Sequence, residues 1–104
     1  MMNFADMKPV AEDVADVMKT LANSNRLLAL CALMERERSV GDLADSLNMR
    51  DQAMSQQLAI LRNKGLVKTR RDGQTIYYTL ASEDIRSLMM ALYATYCAPS
   101  SERS

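Results

Sequence analysis

The chain has no histidine and no tryptophan, and its 104 residues include only three glycines and two cysteines. Without histidine there is no Ser-His or Cys-His pair to activate a nucleophile. Mixed Cys/His zinc sites are equally out of reach, because two thiols supply too few ligands. Glycines at 41, 65 and 73 do not make a Gly-rich loop that cradles phosphate. These absences argue against an enzyme and against a bound metal or cofactor. Aromatic residues make up only 5% of the chain, and its wealth of Leu, Met and Ala favours helix over sheet. No apolar run approaches membrane-spanning length, and the N-terminus lacks a signal-peptide core. The expectation is a cytoplasmic protein without membrane attachment, in a compartment that keeps thiols reduced.

A formal net charge of zero gives no general preference for nucleic acid, but the charges are unevenly placed. Asp6, Glu12, Asp13 and Asp16 outnumber Lys8 and Lys19 near the start, whereas Arg50, Arg62, Lys64, Lys68, Arg70 and Arg71 outnumber Asp51 and Asp72 later on. One domain is expected: residues 8–97, preceded by a flexible N-terminus (1–7) and followed by a disordered Ser-rich tail (98–104).

Helical spacing of Val10, Val14, Val17, Met18 and Leu21 predicts a first helix from about Lys8 to Leu21. Asn23-Ser24-Asn25 breaks it and offers caps for a second helix, to about Glu35, with Leu27, Leu30, Cys31 and Met34 in one stripe. Leu28 and Leu33 widen that stripe, so this helix should be central and buried. Ser39, with Asp42 in the following turn, signals a third helix that carries Leu43, Ala44 and Leu47 inward and turns at Asn48. A fourth runs from about Asp51 to Lys64 on Met54, Leu58 and Leu61, and Gly65 closes it. Leu66–Arg71 and Thr75–Leu80 alternate about Asp72-Gly73 as a hairpin. Ser82 caps a fifth helix with Ile85, Leu88, Met89, Leu92 and Tyr96 on one face.

Two short helices, a tight turn and then a hairpin make a winged helix-turn-helix, so the fold class is mainly α with a small β-hairpin. The second helix of the pair enters the major groove of double-stranded DNA. With its apolar side pinned inward, the fourth helix presents Gln52, Ser55, Gln56 and Ala59. Gln suits adenine, and Ser serves several base edges. Arg62 and Lys64 near the helix end, and Arg70, Arg71 and Gln74 in the wing, suit phosphate or minor-groove contact. Any amphipathic helix has a polar face. It is the order of elements that favours DNA. Arg50 is a poor N-cap: either Asp51 takes that role and shifts the helix start, or Arg50 contacts phosphate.

Over nearly its whole length the chain resembles the ArsR-type repressors. The resemblance rests on Leu21-Ala22-Asn23, Arg26-Leu27, Ser39-Val40-Gly41-Asp42-Leu43 and Met54-Ser55-Gln56-Gln57-Leu58. It continues in Leu61-Arg62, Gly65-Leu66-Val67 and Gln74-Thr75-Ile76-Tyr77-Tyr78. It implies a homodimer formed by the first and last helices, a dyad-symmetric operator, and Gln57 among the DNA-facing positions, where many relatives carry His. The family's metal sites do not carry over. One needs thiols at the start of the third helix, where this chain reads Ser39-Val40-Gly41-Asp42, and another needs His on the last helix. Arsenite would have two thiolates and no usual third.

Read alone, Cys31 in an apolar stripe is often a small buried hydrophobe, and Cys97 at a helix end is one more exposed thiol. The chain is also similar to the branch of the family, HlyU-type and biofilm-growth-associated regulators among it, that senses reactive sulfur or oxidants. That branch uses a cysteine in the second helix and another near the end of the fifth, the places of Cys31 and Cys97. The resemblance implies a repressor that leaves its operator when the two thiols are bridged. It leaves open HlyU-like activation by displacing a silencer, and a regulator whose cysteines only pack.

Overall fold

A computed structural model describes residues 2–97; the expected 98–104 tail lies outside them. The elements are α1 (Phe4–Met7), a 3-10 turn (Lys8–Val10), α2 (Ala11–Leu21), α3 (Ser24–Glu35), β1 (Arg38–Ser39) and α4 (Val40–Ser46). Next come α5 (Asp51–Asn63), β2 (Val67–Asp72), β3 (Thr75–Leu80) and α6 (Glu83–Tyr96). The first to fifth helices read from the sequence are α2 to α6.

Two expectations need correction, the extent of the first helix and the strand count of the wing. The first helix does not run unbroken from Lys8: Pro9 has no N–H for the helical ladder and sits in a 3-10 turn, so α2 begins at Ala11. Within the segment set aside as 1–7, Phe4–Met7 is a helical turn, capped where the Asn3 side chain accepts from the Ala5 N–H at 3.0 Å. The wing also has a third strand. Arg38 pairs with Tyr78 and Ser39 with Tyr77, giving an antiparallel sheet in the order β1-β3-β2.

The caps stand where the sequence placed them. Asn23, Ser39 and Ser82 accept from the N–H groups of Arg26, Asp42 and Ile85. Asn48 (φ 56°) and Gly65 (φ 74°) end α4 and α5 in the left-handed region, with Met49 N–H donating to the Ala44 carbonyl and Leu66 N–H to that of Leu61. Leu66 therefore belongs to the turn, and β2 starts one residue later than expected. Asp72 faces Thr75 across a two-residue loop with Gly73 at φ 64°, a conformation open to glycine at the first turn position.

The core gathers Leu30 and Leu33 of α3, Leu43 and Ala44 of α4, Met54, Leu58 and Leu61 of α5, Leu80 of β3, and Ile85 and Met89 of α6. Arg38 is buried with them and fully used. Its Nε donates to the Ala32 carbonyl at 3.0 Å, Nη1 to Asp42 at 3.2 Å, and Nη2 to Glu35, which fixes α4 against α3. Burial pushes the Asp42 carboxyl up, but hydrogen bonds and charge from Arg36 and Arg38 outweigh it and hold it below the usual carboxylate range. Its contribution is present above the unfolded-chain Asp value near ~3.9 and is lost as pH falls through the lower folded value. Asp42→Asn should lower stability at pH 7 by up to about 1 kcal/mol, as for half-exposed pairs. It should also flatten the loss below about pH 4 in urea titrations followed by circular dichroism.

α2 and α6 do not bury all their apolar surface. Val10, Val14 and Met18 before and along α2, and Met90, Tyr93 and Tyr96 of α6, are exposed. An open groove of about 350 Å³ between the two helices is lined by Val14, Val17, Met18, Ile85 and Leu88 among others. Tyr96, expected on the packed face of the last helix, is 72% exposed.

Candidate nucleic-acid interface and thiol groove

α5 buries Met54, Leu58 and Leu61 completely, which fixes its rotation. On the other side Gln52, Ser55, Gln56, Ala59 and Arg62 are exposed along one helix length, with Arg50 just ahead of them at the N-cap position. Arg50 caps with its backbone alone, no side-chain bond closing the turn, and Asp51 is the first helical residue. The guanidinium of Arg50 takes part in no ion pair among the described residues. Nor does that of Arg62 or Arg71.

Three of the expected DNA-facing residues are already engaged. Gln57 is half-buried, and its Oε1 accepts from Arg26 Nη1 at 3.0 Å, while Arg26 Nε donates to the Thr20 carbonyl at 2.7 Å. Arg26 thus ties the end of α2 to the middle of α5, and Gln57 is held inward at that joint. Lys64 pairs with Asp16 of α2 at 3.1 Å. Arg70 is bound to Glu37 through two hydrogen bonds and lies over the Tyr77 ring. Arg71 and Gln74 are exposed near the hairpin tip. Sequence reasoning missed Arg26, Glu37 and the exposed Lys68. Only Lys68 lay within the basic run that could have flagged it.

Neither thiol belongs to the exposed row of α5 or to the wing: Cys31 is on α3 and Cys97 ends α6. Both are free, and both are exposed, so Cys31 is not the small buried hydrophobe its stripe allowed. The apolar residues of α3 encircle the helix, and the side bearing Cys31 and Leu28 is left uncovered. Cys31, Met34 and Glu35 of α3 face Met89, Met90, Tyr93 and Ala94 of α6 across an open groove of about 620 Å³. Arg86 Nη1 donates to the Met34 carbonyl at 3.2 Å and holds the two helices together beside it. Cys97, the C-cap of α6, follows Tyr93 by one turn and donates its N–H to the Tyr93 carbonyl at 2.8 Å. Partial burial pushes the Cys31 thiol up, and the charge of Cys97 adds to the shift. Among the described residues no group of three or more His, Cys, Asp or Glu side chains is placed to hold a metal ion. No described helix is long and apolar enough to cross a membrane.

Residues 23–69, which hold α3, the helix-turn-helix and the start of the wing, match the bacterial regulatory protein family arsR. The transcriptional activator HlyU of Vibrio cholerae is 40% identical over 96 residues, which is 92% of this chain and 89% of that protein. The biofilm growth-associated repressor of Agrobacterium fabrum is 45% identical over 93 residues, 89% of this chain and 80% of the repressor. Among solved structures, the transcriptional repressor BigR of Xylella fastidiosa superposes with a TM-score of 0.87 at 40% identity, covering 94% of this chain and all of that one. A homodimeric winged helix-turn-helix DNA-binding domain from Mycobacterium bovis gives 0.75 at 38% identity, covering 84% and 82%. The activator and the repressors among these relatives are transcriptional regulators and not enzymes. With a helix-turn-helix, a three-stranded wing and relatives matched over most of their length, the chain belongs to the arsR family of bacterial regulatory proteins.

Proposed function

We propose that the chain works in the cytoplasm as a homodimeric repressor that reads a dyad-symmetric operator and releases it when Cys31 and Cys97 become bridged. The observation that carries the DNA reading is the exposed row of Gln52, Ser55 and Gln56 on a helix whose other side is anchored in the core. Gln52, Ser55 and Gln56 read base edges, Arg50, Arg62 and Arg71 meet phosphate, and Gln74 enters at the wing. The uncovered apolar surface of α2 and α6 forms the dimer interface, which sets the spacing of the two reading heads.

The inducer is a reactive sulfur species or an oxidant. A persulfide transfers its outer sulfur to one thiol and leaves as a thiol. The second cysteine attacks the protein-bound sulfur of that Cys persulfide, and hydrosulfide departs as the disulfide closes. Two Cys persulfides instead condense to a trisulfide, with loss of hydrogen sulfide. With peroxide, one thiol becomes a sulfenic acid and water leaves, and the second thiol expels a further water. Supporting this reading are two free, exposed thiols, Cys31 on the α3–α6 groove and Cys97 at the end of α6, with the charge of Cys97 felt by Cys31.

The test begins with selection of duplexes from a random-sequence pool by the reduced protein, followed by anisotropy titrations at several salt concentrations. An enriched inverted repeat and a steep salt dependence are the expected results. Failure to enrich any duplex sinks the operator reading. Gln56→Ala should relax discrimination at one base pair of each half-site, at a cost of about 1–3 kcal/mol, with little change in the salt slope.

A further inference from the structure

The sequence counts Arg70 among the DNA contacts of the wing, but its surroundings give it different work. Arg70 of β2 stands opposite Tyr77 of β3, and Tyr77 opposite Ser39 of β1. Glu37, two residues before Ser39, faces the same side by the period of a strand. The guanidinium of Arg70 lies 4.7 Å from the centre of the Tyr77 ring. It reaches across the sheet to donate from Nε to Glu37 Oε2 at 2.8 Å and from Nη2 to Oε1 at 2.5 Å. Asp72 adds a second carboxylate, 4.0 Å from Nη1. A planar fork filled by a bidentate carboxylate and stacked on a ring is a fixed geometry. To serve a phosphate as well, Arg70 must leave Glu37 or bring that carboxylate up against the DNA. The next residue, Arg71, faces the other side of the sheet and is in no ion pair among the described residues.

We propose that Arg70 is a positioning residue: clamped to Glu37 across Tyr77, it straps the wing to the segment between α3 and β1 and sets the angle at which Arg71 and Gln74 meet the operator. This rests on the DNA reading above. The hydrogen bond between the pair, the largest influence on both groups, holds the Glu37 carboxyl down and the Arg70 guanidinium up, which favours the charged form of each partner.

The experiment uses the full chain and the duplex that the wild-type protein selects. Arg70→Gln, Glu37→Gln, their double variant, the charge swap Glu37→Arg with Arg70→Glu, and Arg71→Gln are titrated across a salt series, with thermal midpoints recorded for each. If Arg70 positions the wing, Arg70→Gln and Glu37→Gln each weaken binding by roughly 2- to 30-fold. The double variant then loses no more than either single one. The slope of log affinity against log salt stays at the wild-type value in Arg70→Gln but falls by about one in Arg71→Gln. The swap restores most of the affinity, a result that loss of a phosphate contact cannot give. The inference is overturned if Arg70→Gln flattens the slope by about one, if Glu37→Gln tightens binding by releasing the guanidinium, or if the swap binds worse than either single variant. Those results leave the operator reading intact. Only a wild-type chain that enriches no duplex removes both.

Discussion

Leu58→Ala is expected to lower the stability of the fold by about 2–5 kcal/mol, the range for deleting a fully buried leucine and leaving a cavity. Leu58 is 0% exposed and lies midway along α5 between Met54 and Leu61, the other two buried positions of that helix. The rest of α5 is exposed or half-buried, so these three side chains anchor the reading helix. They share one buried cluster with Leu30 and Leu33 of α3, Leu43 of α4 and Met89 of α6. For a domain of this size the midpoint of thermal unfolding should fall by roughly 10–30 °C. Circular dichroism melts at fixed protomer concentration measure this, the concentration being held because a dimer gains stability by mass action. Ile60→Ala, on the 39% exposed side of the same helix, should change stability by about 0.5 kcal/mol or less. A Leu58→Ala variant that melts within a few degrees of wild type would mean that α5 is held by something other than this row.

What could be read in the sequence was local. Asn23, Ser39 and Ser82 sit where side chains satisfy free N–H groups, and Asn48, Gly65 and Gly73 sit where the chain needs positive φ. Each effect acts within about one turn, and each was found. Period alone also placed Met54, Leu58 and Leu61 inward. What escaped was everything that depends on a distant partner. β1 is two residues long, too short for any alternation, and exists because β3 offers Tyr77 and Tyr78. Period names the apolar side of a helix but not its occupant. Cys31 and Tyr96 were therefore given to packed faces that the described chain does not extend over them. At the candidate site the same division holds. The outward row of α5 was legible, whereas the engagement of Gln57 by Arg26 and of Arg70 by Glu37 spans 31 and 33 residues of sequence and leaves no periodic trace.

Cys31→Ser and Cys97→Ser should each bind the selected operator within about twofold of wild type, since both thiols are exposed and Cys97 caps α6 through its backbone N–H, which serine keeps. Both should fail to release it on treatment with glutathione persulfide or peroxide. In the wild-type chain the same treatment should weaken binding by about 5- to 150-fold, the span of common coupling energies. The asymmetry follows from the place of the thiols. Cys31 lies on α3, whose first turn carries the Arg26 that grips Gln57 of α5, and Cys97 ends α6, whose uncovered side is the proposed dimer surface. A bridge between them joins the element that supports the reading helix to the one that sets dimer spacing, while one modified thiol only decorates a groove. A disulfide needs Cα atoms within about 7 Å, so a bridge fixes the end of α6 to α3 at no more than that separation. Because burial pushes the Cys31 thiol up and the thiolate is the attacking form, its alkylation should quicken by about tenfold per pH unit below its pKa. Peptide mass spectrometry and anisotropy on the same samples decide the matter. Release that tracks a Cys31–Cys97 linked peptide supports the bridge, and a single-cysteine variant that still lets go of DNA normally ends it.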